Sequence, residues 1–287
     1  MKDKAAQTGP GAMVLVAMEQ QLPERERIVV DDLALPILPF GYRAEVRLLK
    51  PFTRAIIRKS ERKVPGLWGS IMSRKRYIDE ILTEAATQVE EVVNLGAGFD
   101  TRALRLSAVE HHAIWEVDKP STVDSKRARI ENLFQAAPNN VTLVPIDFDL
   151  QALGAVLEGY GYSAAKKTFF IWEGVTQYVS EAGIEATFEY LAMVPAGSRL
   201  IFTYTPKDFI DGENLHGQQY LYNKMLIKDR IWLFGIDRLK VDALLSKYGW
   251  RVCEHVGYDT LVERYVKPTG RDLEPMSIER VVYAEKL

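Results

Sequence analysis

The chain has 287 residues, 47% hydrophobic and 26% charged, which is typical of a globular protein that buries a core without disulfides. Its formal net charge of −2 provides no overall basic field, so we expect neither nucleic acid nor an anionic membrane as a partner. The single cysteine, Cys253, excludes an internal disulfide and a cysteine-based zinc site. We predict no metal site and a cytoplasmic location.

The first third of the chain is predicted to be helical. Residues 1–12 carry Lys, Gly and Pro and are expected to form a flexible tail. Two amphipathic stretches follow, "GYRAEVRLLKPFTRAIIRKS" and "SIMSRKRYIDEILTEAATQV", in which apolar residues recur at helical spacing. We therefore predict an N-terminal helical cap over residues 13–90.

From residue 91 onward, short β-branched runs alternate with helical stretches, the pattern of a parallel sheet covered by helices. Five predicted strands are "EVVNL", "AIWEVD", "VTLVPIDF", "TFFIWEGV" and "SRLIFTY". Two later runs, "RVCEHVGYDTL" and "ERVVYAEKL", are expected to pair antiparallel. The prediction for residues 91–287 is an α/β fold, with a seven-stranded, doubly wound sheet that ends in an antiparallel hairpin. A polar and aromatic insertion interrupts it at about residues 206–238.

The stretch "VVNLGAGFDTRALRL" joins the first strand to a helix through a glycine turn. Gly96 and Gly98 would let the backbone approach a ligand, and Asp118, at the end of the next strand, could accept hydrogen bonds from ribose hydroxyls. A dinucleotide site requires a third glycine where this chain has Thr101, and Asp100 would repel a pyrophosphate. Asp100 would instead attract a cation. The turn therefore favours S-adenosylmethionine, which carries positive sulfonium and ammonium groups and no phosphate.

Two more strand ends carry candidate cofactor residues. Asp147 could accept from the adenine amino group while Phe148 packs against the ring, although Asp147 could also simply cap a helix. Glu173 would lie at the same edge of the sheet, near the methionine end of the cofactor, with a structural role in a helix cap as the alternative.

Several motifs in fixed order together resemble the leucine carboxyl methyltransferase family, in particular its bacterial branch of S-adenosylmethionine-dependent methyltransferases. They are "LGAGFDTRALRL", "EVD" followed closely by Pro120, "EGVTQY", the Arg-x-x-Tyr-x-Asp segment in "SRKRYID", and "RIVVDDLALPIL". The resemblance covers nearly the whole chain from about Met13. It implies a class I methyltransferase fold, which is Rossmann-like, with S-adenosylmethionine as the cofactor.

The resemblance also implies cofactor contacts. They are Arg74 for the methionine carboxylate, Gly96 and Gly98 as the lining turn, Asp118 for the ribose, Asp147 with Phe148 for the adenine, and Glu173 for the methionine end. From the residues alone, the choice between Arg74 and Arg76 stays open, because both are placed within one turn near a helix start.

The acceptor decides whether a general base is needed. A carboxylate acceptor, with a pKa of about 4, is already ionised, whereas a hydroxyl acceptor needs a base. His216 in the insertion is the candidate base, and Tyr178 and Tyr204 could orient the acceptor. Four aromatic residues of the insertion could either frame an apolar pocket or belong to the core: Tyr220, Tyr222, Trp232 and Phe234.

We predict an O-methyltransferase that acts on a carboxylate or hydroxyl of a small molecule. The alternatives are an NAD-dependent oxidoreductase on the same type of sheet, or a non-catalytic module that binds S-adenosylmethionine and a partner. The oligomeric state is left open.

Overall fold

The computed structural model describes residues 9–287. Its strands, in chain order, are β1 (Glu91–Leu95), β2 (Ala113–Asp118), β3 (Val141–Pro145), β4 (Thr168–Trp172), β5 (Arg199–Tyr204), β6 (Trp250–Val256) and β7 (Arg280–Lys286). Five helices precede the sheet: α1 (Gly9–Glu19), α2 (Ala34–Ile37), α3 (Phe40–Leu48), α4 (Thr53–Lys63) and α5 (Leu67–Ala85). The later helices are α6 (Arg102–Arg105), α7 (Pro120–Phe134), α8 (Leu153–Gly159), α9 (Glu181–Leu191), α10 (Lys207–Ile210), α11 (Gln219–Tyr222), α12 (Val241–Lys247) and α13 (Tyr258–Leu261).

The sheet has the order β3-β2-β1-β4-β5-β7-β6. The first five strands are parallel, and β7 runs antiparallel between β5 and β6. The predicted α/β sheet and its antiparallel end are therefore confirmed. Because the strand order reverses between β1 and β4, the carboxyl ends of these two strands flank the crevice where doubly wound sheets bind ligands.

Alternate residues of the strands face two separate cores. In β4, Phe169 and Ile171 pack into a core with α1, α5 and α7, whereas Phe170 and Trp172 pack into a core with α8, α9 and α12. All four side chains are buried, which explains why this strand reads as a continuous apolar run. The sheet is therefore the middle layer of three.

The N-terminal helices begin earlier than the sequence predicted. Residues 9–12, expected as part of a tail, form the start of α1, and residues 1–8 of that expected tail lie outside the described residues. Pro10 is tolerated because the first helical turn needs no amide donor at that position. Met13, Val16 and Ala17 of the same helix are buried in the core, and this burial holds the helix in place.

Two predicted strands are shorter than expected. β3 ends at Pro145 and β4 at Trp172, so Asp147 and Glu173 lie in the loops that follow the strands. The insertion contains α10 and α11, and α11 continues as a π-helical segment, Asn223–Lys228. Within residues 9–287, no helix has both the length and the apolar character that crossing a bilayer requires.

Candidate functional site

A cavity of about 570 Å³ opens at the carboxyl edge of the sheet, between β1 and β4 and below the N-terminal helices. Its volume falls within the range of roughly 300–1,000 Å³ that is usual for small-molecule sites. Residues with polar side chains line one half: Arg74, Lys75, Asn94, Asp100, Asp118, Asp147, Glu173 and Glu279. Largely apolar residues from the helices and the insertion line the other: Met13, Leu15, Leu67, Ile71, Leu221, Met225, Trp232, Met276 and Ile278.

The glycine turn forms the floor of the polar half. Gly96 has a φ of 73°, and a Cβ atom there would lie 2.3 Å from Cγ2 of Val175. Gly98 has a φ of 51° and open space around it on the cavity side. Any larger residue at Gly96 would therefore collide with the β4 loop, whereas Gly98 is required for its backbone conformation.

Asp118 lies at the tip of β2, where the sequence placed it. Its Oδ2 accepts a hydrogen bond from the Gly98 amide at 2.7 Å, and its Oδ1 accepts one from the Lys119 amide at 2.7 Å. Burial raises the pKa of this carboxyl group. The Thr122 side chain also donates to this carboxylate. A carboxylate has about four acceptor positions, so these three contacts still leave room for a donor from a ligand.

The β3 loop brings Asp147 and Phe148 to the same cavity. The Oδ1 atom of Asp147 accepts from the Asp149 amide at 3.1 Å, so this side chain also braces its own loop. Phe148 is half-buried and packs against the core on the α9 side of the sheet.

The structure distinguishes the two candidate arginines. Both lie inside α5, well past its start, and two positions along a helix point about 200° apart. Arg74 lines the cavity, where its Nε donates to Oε1 of Glu173 at 3.0 Å. Arg76 is 45% exposed and pairs with Glu80 on the outer face. Only Arg74 can therefore reach a ligand in this cavity.

A buried ion network joins α5, the glycine turn and the tip of β4; it consists of Arg74, Lys75, Asp79, Asp100, Arg102 and Glu173. Its centre is the guanidinium of Arg102, whose side chain is 2% exposed. This group reaches Asp79, Asp100 and Glu173, each at 2.6 Å, and donates to the Lys75 carbonyl at 3.2 Å. The network therefore fixes the three segments that form the polar half of the cavity.

The role expected for Asp100 is corrected by this network. The sequence argument reserved its carboxylate for a positive ligand, but Oδ2 is bonded to Arg102 at 2.6 Å and to Lys75 at 3.1 Å. Burial opposes ionisation of Asp100, yet these cations outweigh it and hold its pKa well below the usual range. The cation that Asp100 attracts comes from the protein itself, because α5 packs directly over the turn.

Glu173 lines the cavity and belongs to the same network. Burial opposes its ionisation, but Lys75, Arg102 and Arg74 outweigh that effect and lower its pKa to about 2. The charged form is therefore favoured inside the fold. One consequence is that Glu173 orients Arg74, besides any contact of its own with a ligand.

The sequence analysis quoted two residues of this network, Arg102 and Asp79, only as parts of motifs and assigned them no function. Arg102 lies in "FDTRALR", and Asp79 ends the Arg-x-x-Tyr-x-Asp segment. In the structure the two side chains bond directly, so two motifs that are separate in sequence form one contact. The motifs themselves were the available signal, but the pairing required the tertiary structure.

The three candidate catalytic residues differ in their placement. Tyr178 lines the cavity and packs edge-on against Trp232, with ring centroids 6.2 Å apart. Tyr204 also lines it, but its hydroxyl is hydrogen-bonded to Nε2 of His255 at 2.9 Å. His216 is not among the lining residues, and its Nε2 lies 2.8 Å from Oδ2 of Asp208.

The placement of His216 departs from the expected position of a base. It lies in a turn with a φ of 49°, and its carbonyl accepts from the Ser277 hydroxyl. These contacts turn the residue towards the segment before β7 and away from the cavity. No histidine in the described part of the chain lines this cavity.

Of the four insertion aromatics, only Trp232 lines the cavity. Tyr222 packs against Phe209, and Phe234 contacts the core on the α9 side of the sheet. Tyr220 is 42% exposed. Around Trp232 and Phe234 the chain forms no helix, and the amides of Leu233 and Ile236 donate to the carbonyls of Gln177 and Thr205.

Glu279 is a cavity residue that the sequence analysis missed. It precedes β7, is 6% exposed, and its two carboxylate oxygens lie 3.4 Å from Nη1 of Arg74. Burial raises the pKa of this carboxyl group. The contact with Arg74 is longer than that between Arg74 and Glu173. The pKa of Glu279 is raised, whereas that of Glu173 is lowered. No sequence motif indicated Glu279. It reaches the site because β7 runs antiparallel to β5, so that the start of β7 lies at the carboxyl edge of the parallel strands.

The glycine turn, the acid at the tip of β2 and the cavity at the sheet's switch point define a nucleotide-binding α/β protein of the class I methyltransferase type. Comparison with known proteins agrees. Residues 11–192 match the sequence pattern of the leucine carboxyl methyltransferase family. Since the match spans more than half of the chain, the protein belongs to that family and is an S-adenosylmethionine-dependent methyltransferase.

Individual relatives are similar in sequence or in fold. A Mycobacterium marinum protein, provisionally named an S-adenosylmethionine-dependent methyltransferase, is 27% identical over 216 residues, which cover 70% of this chain and 68% of that protein. A Bacillus subtilis protein of the same provisional description is 23% identical over 219 residues, covering 75% and 72%. The crystal structure of a provisionally named methyltransferase from Thermobifida fusca matches with a TM-score of 0.59 at 12% identity, and the match covers 82% of this chain and 88% of that one. That structural likeness supports the fold.

Replacing Arg102 tests the ion network. In Arg102→Met, Asp79, Asp100 and Glu173 lose their shared cation, and we expect the free energy of unfolding to fall by about 3–5 kcal/mol. Urea denaturation measures this loss. The control is Arg76→Met, which removes an exposed pair with Glu80 and should cost about 0.5 kcal/mol or less. Equal losses in the two variants would contradict the network's structural role.

Replacing Asp118 tests the ribose site. A charge-assisted hydrogen bond contributes about 1.5–3 kcal/mol, so Asp118→Ala should weaken binding of S-adenosylhomocysteine about 10-fold to 150-fold in calorimetry. Asp149→Ala is the control, because that carboxylate also lies at the cavity but accepts from Ser180. An unchanged dissociation constant for Asp118→Ala would remove the residue from the ribose role.

Proposed function

We propose that this protein is an O-methyltransferase that methylates an apolar small molecule, with a carboxylate as the first candidate for the accepting group. The observation that carries the proposal is the cavity itself, which joins a charged half at the strand tips to an apolar half under the helices. One half suits the cofactor and the other suits the acceptor.

The side chains of the charged half match the hydrogen-bonding and charged groups of S-adenosylmethionine. Asp118 would accept from the ribose, Asp147 and Phe148 would hold the adenine, and Arg74 and Glu173 would hold the methionine end. When bound, the cofactor supplies a methyl group on a positively charged sulfur. The cavity-facing carboxylates of Asp118, Asp147, Glu173 and Glu279 provide a negative surrounding for that charge.

The apolar half limits what the acceptor is. Leu67 and Ile71 of α5 line this part of the cavity together with Leu221, Met225 and Trp232 of the insertion. Apolar surface of this kind is stabilised by contact with a hydrocarbon or aromatic body and excludes water from the reacting groups. An acceptor with a compact apolar body is therefore favoured over a sugar or a polar peptide.

Two observations favour a carboxylate over a hydroxyl. A carboxylate needs no base, and no histidine of the described chain lines the cavity. Lys224 lines the cavity next to Met225 and has no ion-pair partner within the described residues, so it can attract an anionic acceptor. The main task of the enzyme is then to align acceptor oxygen, methyl carbon and sulfur, and positioning of this kind supplies roughly 7–11 kcal/mol.

A hydroxyl acceptor is the second candidate, and Glu279 is the observation in its favour. Its buried carboxylate, with a raised pKa, could take the hydroxyl proton while the oxygen bonds to the methyl group. Tyr178, which also lines the cavity, could orient either acceptor. His216 would then have no part in the reaction.

Replacing Arg74 tests the proposed contact with the methionine carboxylate. Arg74→Gln should weaken S-adenosylhomocysteine binding about 10-fold to 150-fold, because a charge-assisted bond is lost. It should leave binding of 5′-methylthioadenosine unchanged, since that ligand lacks the amino acid end. Arg76→Gln is the matched control on the outer face of α5. Equal weakening of both ligands would mean that Arg74 acts only through the ion network.

Transfer of a labelled methyl group tests the reaction. The protein is incubated with methyl-labelled S-adenosylmethionine and a panel of apolar carboxylic acids and phenols. We expect a product that releases labelled methanol in mild alkali, which identifies a methyl ester, and we expect His216→Ala to retain full activity. Glu279→Gln should leave ester formation intact.

The other outcomes distinguish the alternatives. An alkali-resistant product that is lost in Glu279→Gln would establish the hydroxyl version. Tight binding of S-adenosylhomocysteine without transfer to any panel member would favour a non-catalytic module. Binding of NADH in place of the adenosyl ligand would favour an oxidoreductase.

A further inference from the structure

Residues 40–63, which we call the α3–α4 face, are strongly basic, although the net charge of the whole chain is slightly negative. This segment has eight Lys or Arg and two Glu, a net charge of +6 within a chain of −2. Five of its cations are exposed and have no ion pair within the described residues: Arg47, Lys50, Arg58, Lys59 and Arg62. The remainder of the chain is correspondingly acidic.

One of the two acids in this face is turned inward. The carboxylate of Glu61 accepts from the amides of Gly66 and Trp68 at the start of α5, at 2.8 and 2.9 Å. Glu61 therefore accepts hydrogen bonds from the first amides of α5 and does not form ion pairs with its basic neighbours. Glu45 is the only acid of the segment that is exposed.

The same face exposes an apolar stripe. Phe40, Ala44 and Leu48 lie four residues apart on α3 and so share one side of the helix, opposite the buried Val46. Phe40 is 74% exposed and Leu48 is 78% exposed. Phe52, in the turn to α4, is 60% exposed. Large apolar side chains that stand in water beside cations are typical of helices that lie in a membrane interface.

We propose that the α3–α4 face docks on an anionic lipid surface, with its cations on the headgroup phosphates and its apolar stripe in the acyl boundary. A second copy of the chain is disfavoured, because a symmetric interface would bring this positive face against itself. A nucleic acid would use the cations but would leave Phe40 and Leu48 in water. An anionic membrane satisfies both kinds of side chain.

The face also adjoins the insertion that lines part of the cavity. The Nζ atom of Lys63, at the end of α4, lies 4.7 Å from the ring centroid of Tyr220 in α11. The neighbouring residues of the insertion, Leu221 and Lys224, line the cavity. Ile227, further along the same segment, is 57% exposed. Docking would thus place this part of the insertion, which lines the cavity, near the lipid. The docking proposal does not depend on the methyl-transfer proposal.

Co-sedimentation with vesicles tests the docking. The full chain is mixed with vesicles of phosphatidylcholine alone, or with equal parts of phosphatidylcholine and phosphatidylglycerol. We expect binding to the anionic vesicles only, and we expect added salt to weaken it. Arg58→Gln with Arg62→Gln should weaken binding about 25-fold, since each cation contributes about fivefold. Leu48→Ala should weaken it about tenfold.

Matched controls come from exposed residues elsewhere. Leu239→Ala, at a position 92% exposed, and the pair Lys240→Gln with Lys247→Gln should bind anionic vesicles like the parent chain. Thermal melting of each variant shows that it is folded. The proposal is overturned if the parent binds neither vesicle, if it binds both equally, or if the α3–α4 variants bind like the controls. It is also overturned if the parent is a dimer that Leu48→Ala dissociates.

Discussion

The contact on which the site depends is the buried guanidinium of Arg102 with three carboxylates. Asp79 comes from α5, Asp100 from the glycine turn and Glu173 from the tip of β4, so one cation holds together three segments that are distant in sequence. Such a cluster is stable only when every member is paired, because an isolated charge in this environment would carry a large desolvation cost. The polar half of the cavity is rigid for that reason, and Arg74 is presented to it in a defined orientation by Glu173.

The two halves of the cavity come from different parts of the chain. The strand tips supply most of the polar half, as the topology of any doubly wound sheet allows, and α5 adds Arg74 and Lys75. The apolar half comes from α1, α5 and the insertion after β5, which are the elements that a common sheet leaves variable. Cofactor chemistry therefore follows from the sheet, whereas acceptor chemistry follows from the elements packed on top of it. Glu279, just before β7, is the one acid of the polar half that neither sheet pattern nor motif indicated.

The net charge of the whole chain and the charge of residues 40–63 lead to different expectations about an anionic membrane partner. The net charge of −2 argued against an anionic membrane partner, and the amphipathic stretch at residues 40–63 was predicted only as part of a helical cap. The structure shows which of its residues are exposed, and they include most of its cations together with Phe40, Leu48 and Phe52. Composition could not indicate this, because exposure depends on which side of each helix packs against α1 and α5.

By itself, the sequence determined the succession of strands in the predicted α/β sheet, its antiparallel end, and the positions of the glycine turn and Asp118, because alternation, turn residues and motif spacing are local properties of the chain. The tertiary structure alone decided that Arg74 and not Arg76 faces the cavity, that Asp100 is paired with Arg102, and that His216 lies outside. Those outcomes depend on how α5 and the insertion pack over the sheet. Packing of this kind brings together residues far apart in sequence, and no local pattern encodes their distance.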